Sequence, residues 1–123
     1  MLDFIFSNCI MTNVGKSGIG LLLGPSGTIP DFIAVGSGSG AVAITNTDLI
    51  AETNGAAFTS TDISTEKQIT WIADFSSVTM SGTALKEFGV KVSGLNTWNR
   101  EGFANIDFDG TNELQIEVTF EIF

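Results

Sequence analysis

The clearest pattern in the sequence lies in segment 113–123, where polar and apolar residues alternate strictly as far as Ile122. A period of two sends successive side chains to opposite faces of a strand, so this segment predicts a half-buried β-strand. Segment 103–108 predicts a partner strand, and Asp109-Gly110 between the two is typical of a tight hairpin turn. The apolar members of the alternation are Leu114, Ile116, Val118, Phe120 and Ile122.

Two other segments predict strands, and a third segment has no pattern that predicts a strand or a long helix. Segment 68–75 has strand composition, and the short apolar run 31–35 predicts a buried strand that leads into the glycine-rich loop 36–40. Segment 41–65 is rich in small and polar residues and has no sustained period. There we expect a loop, or one short helical turn over 47–52 capped by Thr47.

Segment 85–92 predicts a further strand with two distinct faces. Its apolar face holds Phe88, Val90 and Val92, whereas Glu87 and Lys91 share the opposite face.

No window shows a convincing helical stripe, and the chain has neither a solenoid repeat nor a linker that divides it. The sequence therefore predicts an all-β protein: a single antiparallel β-sandwich (jelly-roll-like) domain over residues 1–123. Residues 1–28 either belong to this domain or form an extended N-terminal arm.

Composition narrows the functional classes. Hydrophobic residues make up 43% of the chain and charged residues 15%, which excludes a disordered protein. Five Lys and Arg stand against 14 Asp and Glu, so the net charge is −9 and nucleic acid is not an expected partner. The apolar run 19–24 is much too short to cross a membrane, and no targeting signal is expected.

The chain lacks histidine and has a single cysteine, Cys9. Ser-His-Asp and Cys-His catalysis and His-ligated zinc are therefore excluded, and no disulfide can form within one chain. We expect a protein that is not an enzyme.

Two glycine motifs resemble nucleotide-binding loops only in part. Gly15-Lys16-Ser17 matches the end of a P-loop, but Ile10 stands where the pattern needs its first glycine. Segment 36–41 fits G-x-G-x-x-A without a predicted helix after it. We therefore expect no cofactor, and a glycine loop that needs positive φ or a close backbone approach.

Two ligand-binding alternatives stay open. Asp107, Asp109 and Glu113 could hold a structural Ca²⁺, although the EF-hand spacing is incomplete. Trp71 and Trp98 could form a sugar-stacking platform, although aromatic residues in strands more often pack in a core.

Three segments in order resemble the phage tail-collar and tail-fibre attachment proteins. Segment 29–38 is similar to their apolar strand followed by A-V-G-x-G, segment 45–52 to their T-x-L-x-x-E, and segment 83–90 to their I-x-E-x-G-L strand. The resemblance implies a non-enzymatic structural component of a tailed-virus particle. It would be located in the virion, as a small subunit of the tail, baseplate or collar that docks fibres or neighbouring subunits. A capsid decoration protein of the head (cement or spike) is one alternative, and a host-glycan-binding module is another.

Scarce charge on an apolar chain also predicts contact between subunits, as a homo-oligomer or with other virion proteins. The candidate interface residues are Ile19, Leu21, Leu22, Leu23, Gly36, Gly38, Gly40, Phe120 and Phe123.

Overall fold

The computed structural model describes residues 2–7, 11–23, 28–92 and 96–121, and in these ranges two β-sheets pack face to face. The elements in chain order are β1 (Leu2–Ser7), α1 (Asn13–Leu23), β2 (Phe32–Gly36), β3 (Glu52–Ala57), β4 (Ser60–Asp62), β5 (Gln68–Phe75), α2 (Ser77–Met80), β6 (Ala84–Lys91), β7 (Glu101–Asp107) and β8 (Leu114–Glu121).

The first sheet has the strand order β1-β8-β5-β4 and the second sheet has the order β3-β2-β6-β7. All neighbouring strands are antiparallel except β1, which runs parallel to β8. The predicted all-β sandwich is therefore confirmed. Of the first 28 residues, 2–7 form an edge strand of the first sheet and 13–23 form a helix.

The core lies between the two sheets, and the alternating residues of β8 show how a strand contributes to it. Along this strand buried residues alternate with half-buried ones, because every second side chain points toward the second sheet. The core side chains include Ile33, Val35, Trp71, Phe75, Met80, Leu85, Phe88, Val90, Leu114, Ile116, Val118 and Phe120.

The predicted hairpin between segments 103–108 and 113–123 is wrong. Strand β7 pairs with β6 in the second sheet, whereas β8 lies between β1 and β5 in the first sheet. The turn itself is present, since Gly110 has φ +93° and the Asp109 carboxylate accepts the Thr111 backbone N–H at 3.0 Å. Alternation and turn residues indicate two strands and a reversal of the chain direction between them. They do not determine which strands pair, and here each of the two strands pairs with a different partner.

The helix α1 was not predicted, because its packed face is built from glycine rather than from large apolar residues. A Cβ on Gly15 would lie 2.4 Å from the Trp98 carbonyl oxygen, and one on Gly18 would lie 2.4 Å from the Trp98 ring. Thr12 caps the helix, since its hydroxyl accepts the Gly15 backbone N–H at 3.2 Å. Within the described ranges, no helix is long and apolar enough to span a membrane.

Segment 41–65 also differs from the prediction. It contains β3 and β4, and residues 47–52 form no helical turn. Both strands are edge strands with largely exposed side chains, so their sequence carries no alternation for a pattern to detect.

Candidate functional site

The outer face of β6 carries charged residues yet is buried. Glu87 and Lys91 share the face opposite Phe88 and Val90, as the alternation predicted, but they are 0% and 6% exposed. The loop over residues 37–51 and the segment 97–100 cover this face. They form a third, polar layer on the second sheet.

A fully buried ion pair lies at the centre of this layer. Arg100 Nε donates to Glu87 Oε2 at 2.7 Å, and neither side chain is exposed to solvent. The guanidinium also donates to the carbonyl oxygens of Ala41 at 3.1 Å and Gly40 at 3.4 Å, and to Asn46 Oδ1 at 3.4 Å. Each additional acceptor offsets part of the desolvation of the buried cation.

The Glu87 carboxylate fixes both ends of the 37–51 loop. Its Oε1 accepts the backbone N–H of Gly38 at 3.2 Å and of Ala51 at 2.8 Å, and its Oε2 accepts that of Ile50 at 3.0 Å. With the bond from Arg100, the carboxylate accepts four hydrogen bonds. One buried side chain thus closes a long loop and orients its backbone.

Two glycines are required by this arrangement. A Cβ on Gly36 would lie 2.4 Å from the Ala51 carbonyl oxygen, and one on Gly38 would lie 2.4 Å from Glu87 Oε1. The close backbone approach predicted for the glycine loop is therefore present at both positions, while Gly40 has φ +150° and is exposed.

A second charged group lies at the end of β6. Lys91 Nζ lies 2.8 Å from Asp48 Oδ1 and 2.8 Å from Glu52 Oε1, and the lysine side chain is 7% exposed. Burial of the ammonium opposes its charge, but the hydrogen bonds to the two carboxylates outweigh it, so the pKa of Lys91 is raised. We call the five residues Asp48, Glu52, Glu87, Lys91 and Arg100 the charged cluster.

Segment 97–100 is tied to β6 by side-chain bonds to the backbone. Asn99 Oδ1 accepts the Val90 N–H at 2.7 Å, and the Thr97 hydroxyl donates to the Val90 carbonyl at 3.1 Å. The Thr12 hydroxyl lies 2.9 Å from the carbonyl oxygens of both Thr97 and Trp98, which attaches the start of α1 to the same segment.

The 37–51 loop presents two large apolar side chains to solvent. Ile44 is 49% exposed and Ile50 is 56% exposed. Their backbones are held, because the Ile44 carbonyl accepts the Asn13 N–H at 2.7 Å and the Ile50 N–H bonds to Glu87. The loop therefore combines a fixed backbone with an apolar surface.

The predicted interface residues lie on several different elements of the fold. Ile19 and Leu22 are half-buried on α1, and Gly36 and Gly38 are buried under the 37–51 loop. Phe120 is 7% exposed and meets Trp71 edge to face at 5.1 Å, so its side chain serves the core of this chain. The side chains of Leu21 and Leu23, and the whole of Phe123, lie outside the described residues.

The geometry of the described residues does not favour the Ca²⁺ site or the sugar-stacking platform. Asp107 accepts the Asn105 amide at 2.8 Å and Asp109 accepts the N–H and hydroxyl of Thr111, which lower the pKa of Asp109. In the described ranges no three acidic or cysteine side chains converge as a metal site would need. Trp71 and Trp98 are 3% and 5% exposed, so neither offers a ring for stacking on a sugar.

Sequence reasoning missed the charged cluster as a site. It placed Glu87 and Lys91 on a shared face but had no means to show that a loop covers that face. Arg100 and Ile44 were not singled out at all, since they lie outside any alternating segment, and Asp48 entered only as a member of segment 45–52. The one sequence signal was the resemblance described above, whose three segments contain Gly36, Asp48, Glu52 and Glu87.

The comparisons with known proteins return nothing: no family model, curated protein or solved structure matches the chain.

Proposed function

We propose that this protein is a non-enzymatic assembly subunit of a tailed-virus particle, and that it docks a neighbouring protein subunit through the 37–51 loop. The observation that carries the proposal is the attachment of this loop to the buried Glu87 carboxylate, with Ile44 and Ile50 left exposed.

The physical reason that the 37–51 loop suits docking is preorganisation of its backbone. A loop that must become ordered on binding loses affinity to the entropy of ordering, whereas a loop already fixed does not. Exposed apolar side chains gain free energy when a partner removes them from water. A fixed loop with two exposed isoleucines therefore suits docking to another protein.

The residues behind the family resemblance also support the proposal. Gly36, Gly38, Glu52 and Glu87 come from three separate segments, and in the fold they meet around the 37–51 loop. The resemblance thus concerns one connected structural unit rather than three unrelated short matches.

Charge is consistent with an assembly role. Two of the five Lys and Arg residues, Lys91 and Arg100, are buried in ion pairs, so the surface of the described residues is strongly acidic. Like charge limits nonspecific clumping, and specific apolar contacts supply the attraction.

A place in the tail, baseplate or collar follows the resemblance, and capsid decoration is the alternative within the same class. The host-glycan-binding module is less favoured, because both tryptophans are buried. Protein docking therefore remains the best-supported activity.

The test is the association of purified protein, measured by sedimentation velocity over a range of concentrations. We expect the wild type to form oligomers, and the double variant Ile44→Ser, Ile50→Ser to shift toward monomer at an unchanged melting temperature. The matched control replaces two other exposed apolar residues, Ile63 and Val78, which are 74% and 83% exposed and lie away from this loop in the chain. Equal association of both double variants would contradict docking through the 37–51 loop.

A further inference from the structure

The buried amine of Lys91 is held against two carboxyl groups that are partly exposed, since the side chains of Asp48 and Glu52 are 45% and 41% exposed. Its Nζ is 2.8 Å from Asp48 Oδ1 and 2.8 Å from Glu52 Oε1, and the ring of Phe32 lies 6.0 Å away on the same sheet. Among the ion pairs of the described residues, only these two bring a lysine amine to a carboxylate, since the third involves the guanidinium of Arg100.

We propose that Lys91 and Asp48 condense to an amide cross-link between their side chains, with Glu52 carrying the proton. The inference concerns the covalent state of this chain and does not depend on the proposed function. It assigns a modification site to residues that otherwise form an ion pair between a buried lysine and two partly exposed acids.

The first reason to expect the cross-link is that the Lys91 amine and the Asp48 carboxyl group are held close together. Amide formation between a free amine and a free carboxyl group in water is very slow, but two reacting groups held in one geometry gain a large effective concentration. The lysine side chain is 7% exposed, so the amine is held beside its acceptor Asp48, whose own side chain is 45% exposed. The reaction occurs once per molecule, so a slow step suffices.

Proton transfer is the second argument. The raised pKa of Lys91 means that the ammonium form dominates, and an ammonium cannot attack a carbonyl carbon. Two carboxylates share this one ammonium, so a proton acceptor is always in contact with it. Transfer of one proton from Nζ to Asp48, where Oδ2 holds it, yields the neutral amine and the neutral acid together.

The roles of the two acids differ because their surroundings differ. Asp48 Oδ1 also accepts the Leu49 backbone N–H at 2.9 Å, a donor placed to stabilise negative charge on this oxygen during attack. Glu52 Oε1 contacts the same amine and is free to relay a proton.

The step balances without any co-reactant. Neutral Nζ attacks Cγ of protonated Asp48 and forms the N–C bond. Glu52 takes the surplus proton from nitrogen and delivers it to the departing Oδ2 hydroxyl, which leaves as water. Oδ1 remains as the amide oxygen, and Glu52 returns to its carboxylate form.

The experiment is intact-mass spectrometry of the purified, denatured full chain, followed by peptide mapping. We expect a mass lower by one water molecule than the sequence requires, after allowance for any removal of Met1, and a branched peptide that joins Lys91 to Asp48. Lys91→Arg retains the positive charge and both acidic partners but cannot form the amide, so its mass should equal the sequence mass.

Two further variants separate the reaction from folding. Glu52→Gln should remain folded by circular dichroism and show the full sequence mass, because the proton carrier is lost. Lys86→Arg, on the same strand, should still lose one water. A wild-type chain at the full sequence mass, or a cross-link mapped to another pair, would overturn the proposal.

Discussion

Glu87 and Arg100 form a fully buried ion pair, with Oε2 and Nε 2.7 Å apart and neither side chain exposed. The pair links strand β6 to the residue before β7 and, through further bonds of both side chains, to the 37–51 loop. It is one of the points at which the sandwich and its polar third layer are joined.

Removal of the negative charge at this point should strongly destabilise the protein. Glu87→Gln leaves the Arg100 guanidinium buried without its counter-ion, and we expect a loss of about 3–5 kcal/mol in the free energy of unfolding. Urea denaturation followed by tryptophan fluorescence measures it. The control is Glu117→Gln, a half-buried acid on the outer face of the first sheet, which should change stability by no more than about 0.5 kcal/mol. Equal effects of the two variants would contradict the central role of Glu87.

The helix α1 offers a matched pair of glycines two residues apart. A Cβ on Gly18 would meet the buried Trp98 ring at 2.4 Å, whereas one on Gly20 would meet nothing within 4 Å. Gly18→Ala should therefore destabilise the protein by about 1–3 kcal/mol through overpacking. Gly20→Ala should stabilise it by up to about 1 kcal/mol through helix propensity. Thermal unfolding of both variants should show shifts of opposite sign, and shifts of the same sign would argue against this packing of α1.

Lys67 has a left-handed backbone, with φ +62°, in the turn that precedes β5. A side chain is strained in this conformation and glycine is not, so Lys67→Gly should stabilise the fold by about 1 kcal/mol. Lys67→Ala removes the same amine and keeps the strain, and it should give no gain. Chemical denaturation of both variants distinguishes the backbone effect from the loss of charge, and an equal gain in both would attribute the effect to charge.

Glu101 should make the stability of the protein depend on pH. Burial raises the pKa of its carboxyl group above the ordinary value of 4.5, so the folded state binds the proton more tightly than the unfolded state. The stability linked to this group is complete below the unfolded pKa and is lost as the pH rises through the folded pKa. Glu101→Gln should therefore be slightly more stable than the wild type at pH 7, by up to about 0.5 kcal/mol. The difference should vanish below about pH 4, and a constant difference at all pH values would contradict this origin.

Local alternation was a reliable guide wherever a strand has one face in the core. Strand β5 occupies the predicted residues 68–75, and β6 and β8 lie within one or two residues of their predicted bounds. The same reasoning predicted nothing at β3 and failed at α1, where small residues do the packing. The hydrophobic period of a helix or strand can be recognised only where large apolar side chains pack in the core. Elements that pack through glycine, or that pair only through their backbone, therefore cannot be predicted in this way.

The sequence by itself determined that the chain is a β-sandwich with a core from alternating strands, because period-two burial is a property of each strand alone. It also determined that Glu87 and Lys91 share one face of β6. The tertiary structure alone decided that β8 joins β1 and β5 rather than β7, and that the face with Glu87 and Lys91 is buried. Both outcomes depend on contacts between residues far apart in the chain, such as Glu87 with Gly38 and Lys91 with Asp48, which no local pattern encodes.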